Sequence, residues 1–215
     1  YFLTMVILCS SCDEFLDAKP NKDIVTPNNL EFIEDILNFS TRVNIDLTLG
    51  YVASDDYITT DQALNNYAPW QQAVYLWQED PFQINDVVFD WNSPYQQIFI
   101  ANVAESELEK LTGVDENKRK HLLGTTAFYR AYGHYNLSQL FLPHYSINGE
   151  FDNSISIPYR ESPVITQPSE QVNAREMYQK ISENLDIALA NLGNTSPYKI
   201  NPNLAAALHL GPRLG

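Results

Sequence analysis

Residues 173–193 have the sequence NAREMYQKISENLDIALANLG, and this stretch is the clearest indication of the fold. Asn173 and Glu176 have the spacing of a capping box, and Gly193 stands where a helix normally ends. Between them, apolar residues recur every three or four positions: Tyr178, Ile181, Leu185, Ala188 and Leu192. The stretch therefore predicts an amphipathic helix that packs against antiparallel helix neighbours.

Two helices of the same kind are predicted in the first half of the chain. The first opens at Thr26-Pro27, a cap followed by a first-turn proline. Its apolar face consists of Leu30, Ile33, Ile36 and Leu37. The second is expected to begin at Ser93-Pro94 and to stop at Thr112-Gly113. This helix carries a run of three glutamates: Glu105, Glu107 and Glu109. By default the run is expected to form a solvated face, and a docking surface is the alternative.

Two more helices follow from their end signals. Asp115 is expected to cap a long helix that continues to about Leu142, where Pro143 ends it. Small and large residues alternate on its surface, which lets a second helix approach closely: Leu123, Ala127 and Ala131 beside Phe128, Tyr132 and Tyr135. A short last helix should open at Asn201-Pro202 and end at Gly211-Pro212.

Two long segments lack helical periodicity. Residues 42–92 are predicted to be loop with short helical turns, and they contain all three tryptophans. The second segment, from Pro143 to Val172, is rich in Pro, Ser, Asn and Tyr; a loop of this length usually has a function or packs on another element. No strand pattern competes with the helices, so the predicted fold class is all-α.

Composition limits the possible ligands. With 215 residues, of which 44% are apolar, the chain is long enough to bury a core. Its net charge of -14 disfavours nucleic acid and anionic lipid headgroups as ligands, because both would be repelled. Carbohydrate, peptide and protein partners remain open.

The N-terminal region is predicted to carry a lipid anchor. The apolar stretch Phe2–Leu8 leads through Ser10-Ser11 into Cys12, and acidic residues follow the cysteine. This order is typical of a lipoprotein processing site, at which Cys12 would become the first mature residue and carry a diacylglyceryl group. Residues 1–11 are then a signal peptide remnant and residues 12–25 a lipidated leader. The alternative is a buried strand over Phe2–Leu8, with Cys9 and Cys12 paired or packed.

Six segments, in the right order, resemble the SusD/RagB family of outer-membrane nutrient-uptake lipoproteins of Bacteroidota. The leader Ser11–Pro20 is similar to the family's lipobox and its Phe-Leu-Asp-x-x-Pro start. The other five resemble its first helix, the segment before its ligand loops and three scaffold helices: Thr26–Leu30, Ala53–Asp56, Trp91–Asn102, Ala127–Tyr132 and Tyr178–Leu192.

The resemblance implies a fold of tetratricopeptide-like helix pairs with long ligand-binding loops. Residues 26–215 would form this helical domain, truncated at its C-terminus, and the tail from His209 departs from the family pattern. The resemblance also implies a lipid-anchored protein on the extracellular side of the outer membrane. Such a protein delivers a glycan, or in some members a peptide, to its partner, a SusC-like TonB-dependent β-barrel. It implies neither a cofactor nor an enzymatic activity.

Candidate ligand-binding residues lie in the first long loop. Indole and phenol faces pack on the apolar face of a pyranose ring, while amides and carboxylates bind pairs of hydroxyl groups. The candidates are Asp56, Asn66, Tyr67, Trp70, Gln72 and Trp77. Trp70 and Trp77 could instead be core rings beneath a long loop. Trp91 is expected to be structural, because it abuts the predicted helix start.

Two other classes of function are alternatives to nutrient binding. A glycosidase would use two acids, for instance from among Asp55, Asp56, Asp61 and Glu79. A helical-repeat adaptor would bind only proteins, but plain tetratricopeptide repeats join their helices by short turns. The four histidines have no metal-binding spacing, and no catalytic or metal-ligating residue is predicted. His134 is expected to be a packed or surface histidine.

The anchor assignment predicts that Cys12→Ala releases the protein from membranes and leaves ligand binding intact, since only the acylated side chain is lost. Fractionation of cells expressing each form would measure this. Retention of the alanine variant on membranes would contradict the assignment.

Overall fold

The computed structural model describes residues 29–44, 47–143 and 153–211. The predictions for Cys12, the leader and Thr26-Pro27 lie outside these residues, as does Pro212. The described part is mainly helical, as predicted from the sequence, and most of its helices contribute to three hydrophobic clusters that share Phe128 at their borders.

The first described helix, α1, spans Leu30–Leu37. Asn29 caps it, because its side-chain oxygen accepts a hydrogen bond from the N–H of Phe32 at 2.8 Å. Within the described residues, the helix therefore begins at Leu30 with Asn29 as its cap. The predicted apolar face is correct: Leu30, Ile33 and Leu37 are buried and Ile36 is half-buried.

Four short helices follow, in agreement with the prediction of a loop with helical turns. They are α2 (Ser40–Val43), α3 (Leu49–Val52), α4 (Asp61–Leu64) and α5 (Pro69–Tyr75). Together they form the segment that carries the candidate ligand residues.

Four helices make up the rest of the scaffold: α6 (Phe89–Lys110), α7 (Glu116–Phe141), α8 (Ala174–Asn191) and α9 (Leu204–Leu210). The caps predicted for α7 and α8, Asp115 and Asn173, are confirmed. The predicted start of α6 is wrong, since Pro94 lies inside the helix. One turn forms ahead of the proline, which deprives the helix of a single N–H donor there and keeps a helical φ.

α7 packs against both α6 and α8, with small residues at both contacts. Ala127 and Ala131 are fully buried, as the sequence predicted. Two glycines that the prediction did not use bring the backbones closer still. A Cβ at Gly133 would lie 2.7 Å from Ile98 Cγ1, and one at Gly124 would lie 2.9 Å from the backbone nitrogen of Leu192. Among the described helices, none has both the length and the apolar composition needed to cross a membrane.

The second long loop contains a β-hairpin that the sequence did not predict. Strands β1 (Ser156–Tyr159) and β2 (Glu170–Asn173) pair antiparallel, with Ile157 opposite Val172. Each strand has only four residues, so its side-chain alternation is too short to stand out. Ile157 and Val172 are buried in the same cluster as α7 and α8.

A buried guanidinium joins three helices. Arg130 of α7 is 6% exposed and donates to Glu105 and Asn102 of α6 and to Asn184 of α8, with distances of 3.0 Å to Asn102 Oδ1 and 2.6 Å to Asn184 Oδ1. Asn184 in turn donates to the hydroxyl of Tyr159 at 3.0 Å. The default interpretation of Glu105 as part of a solvated face is therefore wrong, because its carboxylate neutralises this interior charge.

His134 connects the same network to the hairpin. Its Nδ1 lies 2.9 Å from the carbonyl oxygen of Arg130, and its Nε2 accepts the backbone N–H of Arg160 at 3.2 Å. The ring also stacks on Tyr159, with 4.5 Å between centroids. Because Nε2 must accept a hydrogen bond, the buried ring is neutral. Burial lowers the pKa of His134 to about 3, and the positive charges of Arg130 and Lys180 act in the same direction.

We expect the free energy of unfolding to fall as the pH is lowered from 7 to 5. The unfolded chain takes up a proton at His134 near the ordinary pKa of 6.5, whereas the folded chain resists protonation down to about pH 3. Stability is therefore complete above pH 6.5 and lost below it, by at most about 1.4 kcal/mol per pH unit from this residue.

Urea titrations of the wild type and His134→Gln at pH 7 and pH 5 would measure the effect. The variant should lose less stability over this interval, because glutamine does not titrate. Burial also lowers the pKa of His121, but that residue is present in both proteins and cancels in the comparison. Equal losses in the two proteins would contradict the role given to His134.

Candidate functional site

A buried carboxylate and a buried amide of α6 attach the segment of short helices to the scaffold. Asp90, in the first turn of α6, accepts hydrogen bonds from the backbone N–H groups of Thr48 and Leu49 and from the Thr48 hydroxyl. Its Oδ2 lies 2.8 Å from Thr48 Oγ1, and its Oδ1 lies 3.2 Å from Leu49 N. Close by, the amide of Gln97 donates to the carbonyl of Val43. These bonds fix the start of the segment against α6.

Trp70 lies in the first turn of α5. Pro69 occupies the first position of this helix, where its missing N–H is not needed. The indole is half-buried and leans on Phe82, with 6.3 Å between centroids and 40° between ring planes. Phe82 also lines a concavity of about 630 Å³ between this segment and the end of α7. Trp70 is therefore neither a fully buried core ring nor a free surface side chain.

Two glutamine side chains fix the turn before α5. The Oε1 atom of Gln71 accepts the N–H of Ala68 at 3.0 Å. The Nε2 atom of Gln72 donates to the carbonyl of Tyr67 at 2.9 Å. This second bond brings together two of the residues that the sequence predicted for the site, Tyr67 and Gln72.

Three phenols cluster beside this turn. The rings of Tyr57 and Tyr75 are 5.7 Å apart, and the Tyr75 hydroxyl accepts the N–H of Thr59 at 3.3 Å. Partial withdrawal from water and the hydrogen bond with Tyr67 raise the pKa of Tyr57, so its phenol stays protonated at neutral pH. Tyr57 and Tyr75 were not among the predicted site residues; the tyrosine-rich composition of the stretch was the only sequence signal for them.

Trp77 stands just past the end of α5 in a conformation that favours glycine. Its φ is 53°, its N–H donates to Val74 O at 3.1 Å, and the next N–H, from Gln78, donates to Ala73 O at 3.0 Å. These two bonds form a Schellman motif, whose left-handed position glycine normally occupies. The indole is 78% exposed, so the alternative of a core ring is wrong for Trp77.

The other two predicted residues are at the surface. Asp56 is exposed, and its backbone N–H lies 3.4 Å from Ser54 Oγ. Asn66 is exposed as well, and its Nδ2 donates to Gln62 O at 3.1 Å. The carboxylates considered for a glycosidase, including Asp61 and Glu79, are likewise exposed. A glycosidase acid is ordinarily withdrawn from water, unlike these four carboxylates.

The segment thus combines the chemical groups that suit a sugar. Indoles stand in the first turn of α5 and just past its end, phenols lie beside the helix, and amides lie at the turn before it. Aromatic faces can pack on C–H groups, and phenols and amides can donate to or accept from hydroxyls.

Several solved structures share this fold. The surface glycan-binding protein A from Bacteroides fluxus superposes with a TM-score of 0.58 at 23% identity. A SusD superfamily protein from Bacteroides thetaiotaomicron gives 0.65 at 19%, and a laminarin-binding SusD-like protein gives 0.56 at 20%. Each match covers 86% of this chain and, in the same order, 38%, 42% and 38% of the other chain. This chain thus spans less than half the length of each.

A search of curated proteins found no match. Over residues 14–213, however, the sequence matches a SusD-like family described as "Starch-binding associating with outer membrane". The match covers all the described helices and the hairpin. The six resemblances found along the sequence and the shared fold point to the same group, and the chain belongs to the SusD-like family.

Proposed function

We propose that this protein is a surface-exposed outer-membrane lipoprotein that binds a nutrient oligosaccharide and delivers it to a SusC-like TonB-dependent transporter. The family description supports association with the outer membrane, and Cys12 would provide the anchor. Two of the similar structures are named for glycan and laminarin binding. The proposed activity is binding and not catalysis.

The observation that carries the proposal is the pair of indoles at the two ends of α5. Trp70 is half-exposed at its first turn, and Trp77 is mostly exposed just past its end. An exposed indole presents a large, flat apolar surface to water. The apolar C–H face of a sugar ring can cover such a surface while the sugar hydroxyls stay hydrogen-bonded.

The backbone of Trp77 strengthens this argument. A bulky residue at positive φ costs about 1–2 kcal/mol, whereas glycine would adopt the same conformation freely. Such strain persists where the side chain has a use that offsets it. Ligand contact is the use proposed here, together with Tyr67, Gln72, Asp56 and Asn66 as surrounding polar groups.

We predict that Trp70→Ala weakens oligosaccharide binding about tenfold or more, because an aromatic platform is lost. Affinity electrophoresis in gels containing starch or laminarin, followed by titration calorimetry, would measure this. Tyr198→Ala is the matched control, since it removes another half-exposed ring outside the α5 segment. Equal binding by the Trp70 and Tyr198 variants would contradict the site.

Trp77→Gly should separate stability from binding. The free energy of unfolding is expected to stay level or to rise by up to about 1 kcal/mol, since the positive φ is relieved. Oligosaccharide affinity is expected to fall. Leu76→Ala is the neighbouring control, because that side chain is also exposed. If Trp77→Gly bound as tightly as the wild type, the strained indole would have no part in recognition.

The same assays distinguish a peptide ligand from a glycan. Binding of a peptide library that is lost in Trp70→Ala, with no glycan retarding the wild type, would replace the glycan proposal by a peptide-binding one. Delivery is tested separately. A TonB-dependent β-barrel should co-purify with the lipidated protein from solubilised outer membranes, and its absence would contradict the transport role.

A further inference from the structure

A groove of about 300 Å³ runs between α6 and the β-hairpin, apart from the α5 segment. We call it the hairpin groove. Its walls are three aromatic rings of α6 and three residues of the hairpin: Trp91, Tyr95, Phe99, Pro158, Arg160 and Ser169. Its volume is at the lower end of the range for small-molecule sites.

The helix side of the groove is a row of rings. Trp91, Tyr95 and Phe99 are spaced four residues apart, so they lie along one face of α6. Trp91 and Tyr95 are packed edge-on with 5.2 Å between centroids, and Trp91 meets Phe141 in the same way at 4.9 Å. Phe99 is 38% exposed. The first two rings are thus held in place, and the third presents apolar surface to solvent.

The hairpin side is held rigidly by hydrogen bonds around residue 160. The backbone N–H of Arg160 donates to His134, and its carbonyl accepts from Asn102 at 3.3 Å. Two residues earlier in the chain, the carbonyl of Pro158 accepts a hydrogen bond from the Tyr95 hydroxyl at 2.7 Å. Both walls are therefore fixed before any ligand arrives, which reduces the entropy lost on binding.

The side chain of Arg160 is oriented as well. Its Nη1 donates to Ser169 Oγ at 2.7 Å and to Gln167 O at 3.1 Å. A guanidinium has five N–H donors in one plane, and these two bonds, both from Nη1, hold the group in place at the groove that it lines. Rings on one wall and a fixed planar donor on the other suit a sugar, whose ring has an apolar face and a hydroxyl edge.

The surrounding charge selects among sugars. A second concavity, of about 360 Å³, adjoins the groove and shares Asn102 and Ser162 with it. Arg130 lines this concavity and is already paired with Glu105. The concavity is also lined by four carboxylates: Glu105, Glu109, Glu161 and Glu183. These four carboxylates outnumber the one guanidinium of the groove, Arg160, and together with the net charge of -14 they disfavour uronic acids and sulfated sugars there.

We propose that the hairpin groove is a second carbohydrate site, which binds a ring of a neutral oligosaccharide between Phe99 and Arg160. The proposal rests on the proposed carbohydrate-binding function, but it uses no residue of the α5 segment.

The test uses the whole chain with Trp70→Ala as the background, so that the α5 segment does not mask the groove. Titration calorimetry with maltohexaose, laminarihexaose and hexagalacturonate would compare this background with added Phe99→Ala, Arg160→Gln or Phe89→Ala. Phe89 is the matched control, since it is an exposed phenylalanine of the same helix outside the groove. Thermal unfolding midpoints would verify that each variant folds.

We expect at least one neutral hexasaccharide to bind the background protein, and Phe99→Ala to weaken this binding about tenfold. Arg160→Gln should weaken it as well, Phe89→Ala should not, and hexagalacturonate should bind more weakly than the neutral sugars. The proposed site would be contradicted if the Phe99→Ala and Arg160→Gln variants fold and bind sugar like their parent. It would also be contradicted if hexagalacturonate bound more tightly than the neutral hexasaccharides.

The outcome also separates the two sites. If Phe99→Ala weakens binding whereas Trp70→Ala alone has no effect, the site in the hairpin groove is supported and the α5 site is contradicted. If only Trp70→Ala weakens binding, the α5 site is supported and the site in the hairpin groove is contradicted. Absence of binding of all three sugars to the wild type would overturn both.

Discussion

The buried charge of Arg130 is the constraint around which the scaffold is organised. A guanidinium withdrawn from water is tolerated only when its donors are paired. The partners of the Arg130 guanidinium come from α6 and α8. The backbone carbonyl of Arg130 lies against the ring of His134. Loss of one partner from such a cluster typically costs about 3–5 kcal/mol. Three helices that share a small-residue contact surface are thereby held in one register, and the hairpin is attached to the same point.

The buried carboxylate of Asp90 attaches the segment of short helices to the scaffold. The short helices between residues 47 and 80 contribute only Leu49 and Ala73 to the buried apolar residues, so packing alone would hold them weakly. The Asp90 carboxylate provides acceptors for the first N–H groups of α3 and so gives this segment a fixed start. Regions with few buried contacts open locally more easily than the core, which is a common property of ligand-binding segments.

The helices with complete end signals could be predicted from the sequence, as α7 and α8 illustrate. Their caps and apolar stripes act over a few residues, and tertiary contacts only reinforce them. The start of α6 was wrongly predicted because a proline suggests a first turn, whereas one more turn forms ahead of Pro94 and places Asp90 against the start of α3. Glu105 was misjudged because its partner Arg130 is 25 residues away. The predicted apolar face of α8 also differs at its first residue. Met177 is fully buried, whereas Tyr178, which was predicted at this place, is only partly buried.

The candidate site was predictable in composition but not in geometry. Sequence showed that indoles, amides and phenols are concentrated between Asp55 and Glu79, yet the exposure of Trp77 depends on a backbone angle that no local pattern indicated. Trp91 of the hairpin groove was attributed to the scaffold, and the groove was not predicted because the strands that complete it are too short to be recognised.

The three tryptophans now stand in three different environments: Trp77 in solvent, Trp70 against Phe82, and Trp91 edge-on to Phe141. An indole in water emits at longer wavelength than one among apolar side chains, and quenchers reach it more readily. The intrinsic fluorescence of this protein therefore reports on separate regions. The emission at longer wavelength, from Trp77, reports on the end of α5, and the less accessible emission from Trp91 reports on the groove beside α6.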